Sequence, residues 1–415
     1  MTNITFGLSP NHTMEIEKRR GELGFQGQPQ KIVLLGTSKS VVSAADKFTE
    51  IENIKTAKDK YGKDSQLYDM VKAGYDTDPY AKIYCYCLGQ EPQTPVVPNN
   101  TEPADDTPDD DADGNDDSGI ASDNKLAATG TLDFAEIPDE QFTHFVLPEF
   151  DKAKMNSFVD ELDKRWGKDQ QIDGHLFVAD KTKDVNQLKE RYNPQAGGAD
   201  KFINSKHITV IDTMGHADTH IWATVLAVVN ARHAVTPSRP YAQLELPGLE
   251  LPTGVIKSRP RTSRDSLLGA GVSTVRISSG RVFIDRLVTT YKKDPDTELP
   301  DPGYRDLNAK QTLSAIRYDW ITFVNETFYR FVISQDESQT GDYVATPKSV
   351  FSLALSRHEL WKQKLLTQDP VGSFAKNLRV EVSDDGEHFE TELPVHLVGQ
   401  LRGTHTRLLF KRGAA

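Results

Sequence analysis

Sulfur is scarce in this chain. Cys85 and Cys87 are the only cysteines in 415 residues, which excludes a disulfide-stapled secreted scaffold and leaves too few thiolates for a four-cysteine zinc site. They stand two apart in KIYCYCL, which reads as a strand. A period of two puts both thiols on one face, poor geometry for a mutual disulfide, so they read as packing residues of a chain folded in a reducing cytoplasm. Long apolar runs are missing too. The longest, residues 221–229, falls far short of the ~20 residues that cross a bilayer. Residues 1–30 show no apolar core behind a basic start, so no secretory signal is expected. Positive charge is in deficit, with 49 Lys and Arg against 61 Asp and Glu, a net charge of −12. Asp105, Asp106, Asp109, Asp110, Asp111, Asp113, Asp116 and Asp117 crowd into one short run. Without them the remainder is only mildly acidic, and nothing argues for a nucleic-acid groove.

What is present reads as a soluble protein, 37% hydrophobic and 27% charged, long enough for two or three domains. Residues 1–30 scatter Pro10, Gly21, Gly24, Gly27 and Pro29 among polar residues and show no sustained period. Two readings stand for them: a frayed terminus, or an arm ordered only on a neighbouring molecule, with Ile4, Thr5 and Phe6 short and alternating enough to add as a strand. From residue 31 the order is strand (31–36), helix, strand (82–88), the signature of an α/β unit with a mainly parallel sheet. Residues 90–124, with five prolines and the aspartate run, have little to bury and are expected to form a disordered acidic linker. Further strands are expected at 142–147, 175–179 and 207–211. They alternate with helices, one capped by Asp151 with Met155, Phe158, Val159, Leu162 and Trp166 on one face, another over 218–233.

The final third is denser in strands. Residues 273–277 and 281–285 flank Ser278, Ser279 and Gly280 as a hairpin, and 378–383 with 388–393 form a second. Between them lie a long helix after Asp306, whose apolar face would be Leu313, Ile316, Trp320, Val324 and Phe331, and a helix capped by Thr346 with Pro347 in its first turn. A last strand is expected at 405–411. The divisions that follow are 1–30, an α/β domain over 31–260 broken by the linker, a C-terminal α+β domain over 261–398, and a terminal strand over 399–415.

Familiar catalytic patterns fail on inspection. His216 and His220, with Asp218 between them, could be drawn as the metal site of a cytosolic α/β hydrolase, but Ala217 stands where the metalloprotease pattern needs glutamate. Asp109, Asp111, Asp113 and Gly114 imitate half of a calcium loop, which would make a calcium-responsive surface protein. The twelfth position is Ile120, so the bidentate glutamate is missing. GTSKS at 36–40 lacks the glycine spacing of a phosphate loop, and no Gly-x-Ser-x-Gly elbow occurs.

One series of segments does form a consistent pattern. RLVTTY (286–291), PGYRDL (302–307) and the helix with Thr312, Leu313, Ile316, Arg317 and Tyr318 resemble the C-terminal core of contractile phage tail sheath proteins, in particular the Mu-like branch. Residues 139–180, with EQF, RWG and GH, resemble it as well. So do LELPGLEL at 244–251 and the Tyr61–Gly62 turn with Ser65 and Met70. The family's Pro-Gly-Val-Tyr arm signature is absent.

The resemblance implies a structural subunit, not an enzyme, without cofactor or metal. Six copies per ring would stack helically around an inner tube and contract without ATP to drive the tube through a host envelope. Its implied partners are further copies of itself, the tail tube protein, and baseplate and tail terminator proteins, with no nucleic acid and no membrane insertion. Its implied place is the virion tail, assembled in the bacterial cytoplasm. Both chain ends would leave the subunit as strands, Ile4, Thr5 and Phe6 at one end and Arg407, Leu408, Leu409 and Phe410 at the other. Arg357, Lys362 and Lys364 are the tube-facing candidates.

Overall fold

The computed structural model describes residues 24–91, 132–192, 203–339 and 341–410. The expected strand Ile4–Phe6 by number 4–6 and the acidic linker thus lie outside the described residues. The chain begins with β1 (Lys31–Ser38), β2 (Phe48–Ile51), α1 (Ile54–Tyr61), α2 (Gln66–Thr77) and β3 (Lys82–Gln90). Gly62 ends α1 at φ 82°, a left-handed position open to glycine at little cost, and the Ser65 hydroxyl then caps α2 by accepting from Tyr68 N. Beyond the linker come β4 (His144–Leu147), α3 (Lys152–Trp166), β5 (Leu176–Asp180), α4 (Val185–Arg191), β6 (Ile208–Asp212), α5 (Thr219–His233) and α6 (Arg261–Gly269). The Asp151 side chain caps α3 as expected, accepting from Lys154 N.

These strands, with β7 (Val272–Ser278) and β8 (Arg281–Arg286), build one eight-stranded sheet in the order β2-β3-β1-β4-β5-β6-β7-β8. The centre is parallel from β3 to β7, and the two outermost strands run antiparallel. Ser279 and Gly280 join β7 to β8, both at positive φ (51° and 73°), the two-residue turn whose twist suits a hairpin. Helices cover both faces. One core packs α2 and α5 on Ile32, Leu34, Val146, Phe177 and Ile211; the other packs α3, α4 and α6 on Val33, Phe145, Leu176, Val178 and Ile208. Because β4, β5 and β6 are buried on both sides they are mostly apolar without a polar face, His144, Asp180, Thr209 and Asp212 being their polar residues. The sheet continues through β7 and β8, so the division expected at 260/261 does not separate it. LELPGLEL (244–251) lies along β8: Leu246 N donates to Val282 O (2.8 Å) and Ile284 N to Leu244 O (2.9 Å).

The remaining elements are α7 (Leu307–Thr327), β9 (Val332–Ile333), β10 (Val344–Ala345), α8 (Pro347–Gln363), β11 (Thr367–Gln368), α9 (Ser373–Asn377), β12 (Arg379–Val382), β13 (Phe389–Glu392) and β14 (His396–Leu397). Thr346 and Ser349 cap α8 reciprocally. A small second core joins α7, α8 and α9 to the β12–β13 hairpin through Ile316, Trp320, Trp361, Phe374 and Leu378.

One expectation fails here. On α7, Ile316 of the expected face is buried, but Leu313, Trp320 and Val324 are only half-buried and Phe331 lies past the helix end, whereas Asn308, Lys310, Gln311, Thr312, Ser314 and Asp319 are buried. The helix docks by hydrogen bonds more than by an apolar stripe. Residues 405–410 form no strand within this chain; they are exposed, because no edge of their own subunit receives them.

Candidate functional site

The described N-terminal segment, 24–30, is fixed to α7 and α8 by two polar clusters. Asp319, fully buried on α7, accepts from Gln26 N (2.6 Å), Arg357 Nε (2.7 Å) and Trp361 Nε1 (2.6 Å). Arg357 also donates to Gly24 O (3.0 Å) and lies over the Phe323 ring. A buried ion pair of this kind is costly to break, because either partner alone is a charge out of water. Five residues earlier, Ser314 bonds both Gln28 Nε2 (3.1 Å) and the Asp173 carboxylate, which is paired in turn with Lys310 Nζ. Burial alone would raise the Asp173 carboxyl; the Lys310 ammonium overrides this and holds it below the usual range. Lys310 is itself pulled down by burial, with Asp173 opposing. Lys310 Nζ also donates to Gly174 O (2.9 Å).

These contacts correct one expectation. Arg357 is 3% exposed and committed to Asp319, so on this subunit it presents no charge outward. Its position on the apolar-spaced face of α8, beside Ala354 and Trp361, is the signal that could have placed it inside. Lys362 and Lys364 are accessible, Lys362 bridging Glu359 at 2.7 Å.

At the other end, Arg402 is clipped to Asp306 (2.6 Å), a carboxylate that already holds Arg286 at 2.8 and 2.9 Å. Beyond it the tail runs free of contacts: Leu408, Leu409 and Phe410 are 86%, 77% and 84% exposed. Three consecutive large apolar side chains in water ask for a partner surface. Nearby β12 and β13 pair only with each other, so among the described residues neither outer edge of this hairpin carries a further strand. A groove of about 460 Å³ opens beside it, lined by Trp320, Phe328, Phe331, Ile333 and Phe389.

The proposed hydrolase residues do not converge. The His216 Nδ1 accepts from Asp218 N (3.2 Å) and its ring leans on Trp222, while the Asp218 carboxylate, itself largely exposed, comes within only 4.0 Å of the same nitrogen. His220 lies in α5, lowered by burial. Among the described residues no three His, Cys, Asp or Glu side chains meet in a geometry able to hold a metal. Cys85 and Cys87 are free and buried, and burial pushes both thiols up. No described helix is long and apolar enough to cross a membrane.

No family model matches the sequence. A Mu-like prophage tail sheath protein from Haemophilus influenzae is 26% identical over 217 residues, 51% of this chain and 42% of that protein, so the match spans less than half of the relative. In three dimensions the chain superimposes on the sheath tail protein of Desulfitobacterium hafniense with a TM-score of 0.55 at 12% identity, covering 94% of this chain and 97% of the other. The sheath complex of an extracellular contractile injection system, solved in its contracted state, gives 0.55 at 11% identity over 97% and 98%. A chain of the anti-feeding prophage baseplate gives 0.57 at 11% over 98% and 100%. The protein thus has the fold of contractile tail sheath proteins and resembles, in sequence, their Mu-like phage branch.

Proposed function

We propose that this chain is the structural subunit of a contractile phage tail sheath, joined to its neighbours by its own ends. The observation that carries the reading is the tail: Leu408, Leu409 and Phe410 stand in water on a subunit whose β12–β13 hairpin has two open edges. An extended segment satisfies such an edge with main-chain hydrogen bonds, while alternate side chains find pockets. Charge supports the pairing. The hairpin region carries Glu381, Asp384, Asp385, Glu387, Glu390 and Glu392, whereas residues 399–415 hold Arg402, Arg407, Lys411 and Arg412 and no acid. The tail of one copy therefore suits the hairpin of the next.

The same logic extends to the start of the chain. The root at 24–30 is anchored to α7 and α8, and Ile4, Thr5 and Phe6 lie ahead of it as the second arm. The division of the chain into arm, α/β unit, C-terminal unit and tail serves this arrangement, with β7 and β8 of the C-terminal unit completing the sheet of the α/β unit and the linker at 90–124 as an insertion. A contact made by non-equivalent patches repeats from copy to copy, giving a ring where the rotation closes and a helical cylinder where it does not. Six copies per ring around a tube, with baseplate and terminator proteins at the ends, follow the sheath architecture. Contraction draws its work from better contacts between subunits formed on release of a metastable extended state, not from ATP. Lys362 and Lys364 are the remaining tube-facing charges, individually weak enough to exchange. The role is mechanical, in the virion tail after assembly in the bacterial cytoplasm, and uses no catalytic centre or cofactor.

Negative-stain microscopy of purified full-length protein tests the reading. Hollow cylinders are expected, and a chain ending at Gly403 should stay folded yet form none. Wild-type protein that remains as scattered single particles under every assembly condition refutes it.

A further inference from the structure

Three adjacent parallel strands carry the same residue type at one aligned position, the first residue of β4 and the residue just before β5 and β6. Phe145, Leu176 and Ile208 are aligned across β4, β5 and β6, so His144, His175 and His207, each one residue upstream, form a row across the end of the sheet. All three are buried, at 1%, 1% and 0% exposure. His144 Nε2 meets Asn230 Oδ1 at 2.8 Å, His175 Nε2 meets Thr209 Oγ1 at 2.8 Å, and His207 Nδ1 meets Gly174 O at 3.3 Å. The first two rings pack on Phe177, and the third packs edge-on against Trp166.

The charges around the row are mostly positive. From α7 come Lys310 and Arg317, both against the Trp166 ring, and Lys206 precedes His207 in the lead into β6. Opposing them are Asp173 in the loop before β5 and Asp163 on α3, 3.3 Å from His207 Nε2; Arg165 on α3 is engaged by Glu161. From α5 the row meets the uncharged Asn230, and Tyr304 lies over Lys206. Burial holds His144 and His207 down to about 4 and pushes His175 well below its usual range, with Lys310 repelling a proton at each.

We propose that the row is an acid-sensitive joint: protonation separates α7 from the sheet, and the root of the N-terminal segment with it, while the sheet itself stays folded. The division of apolar contacts gives the reason. Of α7 only Leu307 belongs to the sheet's large cores, and its hydrogen bonds on that side are polar contacts of Asn308, Lys310, Gln311, Ser314 and Arg317. New cations beneath Lys310 therefore oppose a polar seam, not an apolar core. The bearing of this joint on sheath assembly rests on the arm reading above, whereas the joint is read on the single subunit.

Hydrogen exchange of the isolated full-length chain, at neutral pH and near pH 4 with intrinsic rates corrected, tests it. Exchange in α7 and residues 24–30 is expected to rise roughly tenfold at low pH relative to β5 and β6. An α7 that stays as protected as β5, or strands that open together with it, overturns the proposal. A folded His175→Gln/His207→Asn variant should lose the response, and one that keeps it overturns the proposal too. Loss of cylinders by microscopy with the joint intact would sink the sheath reading alone.

Discussion

Replacing Asp319 by alanine is the sharpest test of how the arm root is held. The substitution strands the Arg357 guanidinium, 3% exposed, and removes the acceptor of Gln26 N and Trp361 Nε1. Breaking a buried ion pair by removing one partner costs about 3–5 kcal/mol. The two lost hydrogen bonds, worth about 1 kcal/mol each, overlap with that figure because the same site relaxes once, so we expect about 4 kcal/mol in all. That is a large share of the ~5–15 kcal/mol that holds a typical domain. Urea unfolding followed by tryptophan fluorescence reads it, since Trp320 and Trp361 both lie at the site. Asp319→Leu with Arg357→Met removes both charges and should recover most of the loss. A single-variant cost below about 1 kcal/mol would show that the pair is solvated and that the arm root is held elsewhere. Arg357→Glu should likewise unfold the C-terminal unit before it reports on any tube contact.

Other expectations follow from the same contacts. His144 and His207 have folded-state values of about 4 against 6.5 for the free side chain. The unfolded chain therefore binds protons first, and stability that is complete above pH 6.5 drains away as pH falls toward 4, by up to about 3 kcal/mol per histidine; a pH-independent melting temperature over that window would contradict this. Gly174→Ala would place a Cβ 2.6 Å from Leu162 Cδ2 and 3.0 Å from Phe145 Cε2, costing about 1–3 kcal/mol by overpacking, measured by thermal melting. Cys85 and Cys87 should react with a thiol reagent only at the rate of unfolding, as their burial and raised thiols require. Lys362→Glu with Lys364→Glu should leave the unfolding free energy within about 0.5 kcal/mol of wild type while weakening co-assembly with tube; unchanged co-assembly removes them as tube contacts.

Much of the architecture is legible because local rules and tertiary packing agree. β1, β4, β5 and β6 are apolar on both faces, and a parallel sheet covered on both sides demands that. Caps at Asp151 and Thr346 and the Ser279–Gly280 turn are short-range chemistry, and they appear where the residues put them. The sequence is less informative where polar groups do the packing. The period along α7 points to Leu313 and Val324, but the buried face is chosen by partners more than a hundred residues away, Asp173 for Lys310 and Ser314 above all. Arg357 misleads for the same reason, since a lone arginine on a helix gives no local sign of a buried Asp319 across the interface. The terminal strand is a different case. Its apolar residues are exposed, and within one subunit it pairs with none of the described strands.

The placement of Ser314 and Asp319 has a mechanical consequence. They grip Gln28 and Gln26 from one helix, about 7.5 Å apart along its axis at 1.5 Å per residue. A pull on the preceding chain thus loads two clusters side by side instead of peeling bonds one at a time. Tension arriving from outside passes into α7 and α8 as a unit, and a link of that kind can transmit a power stroke without fraying at its fastening.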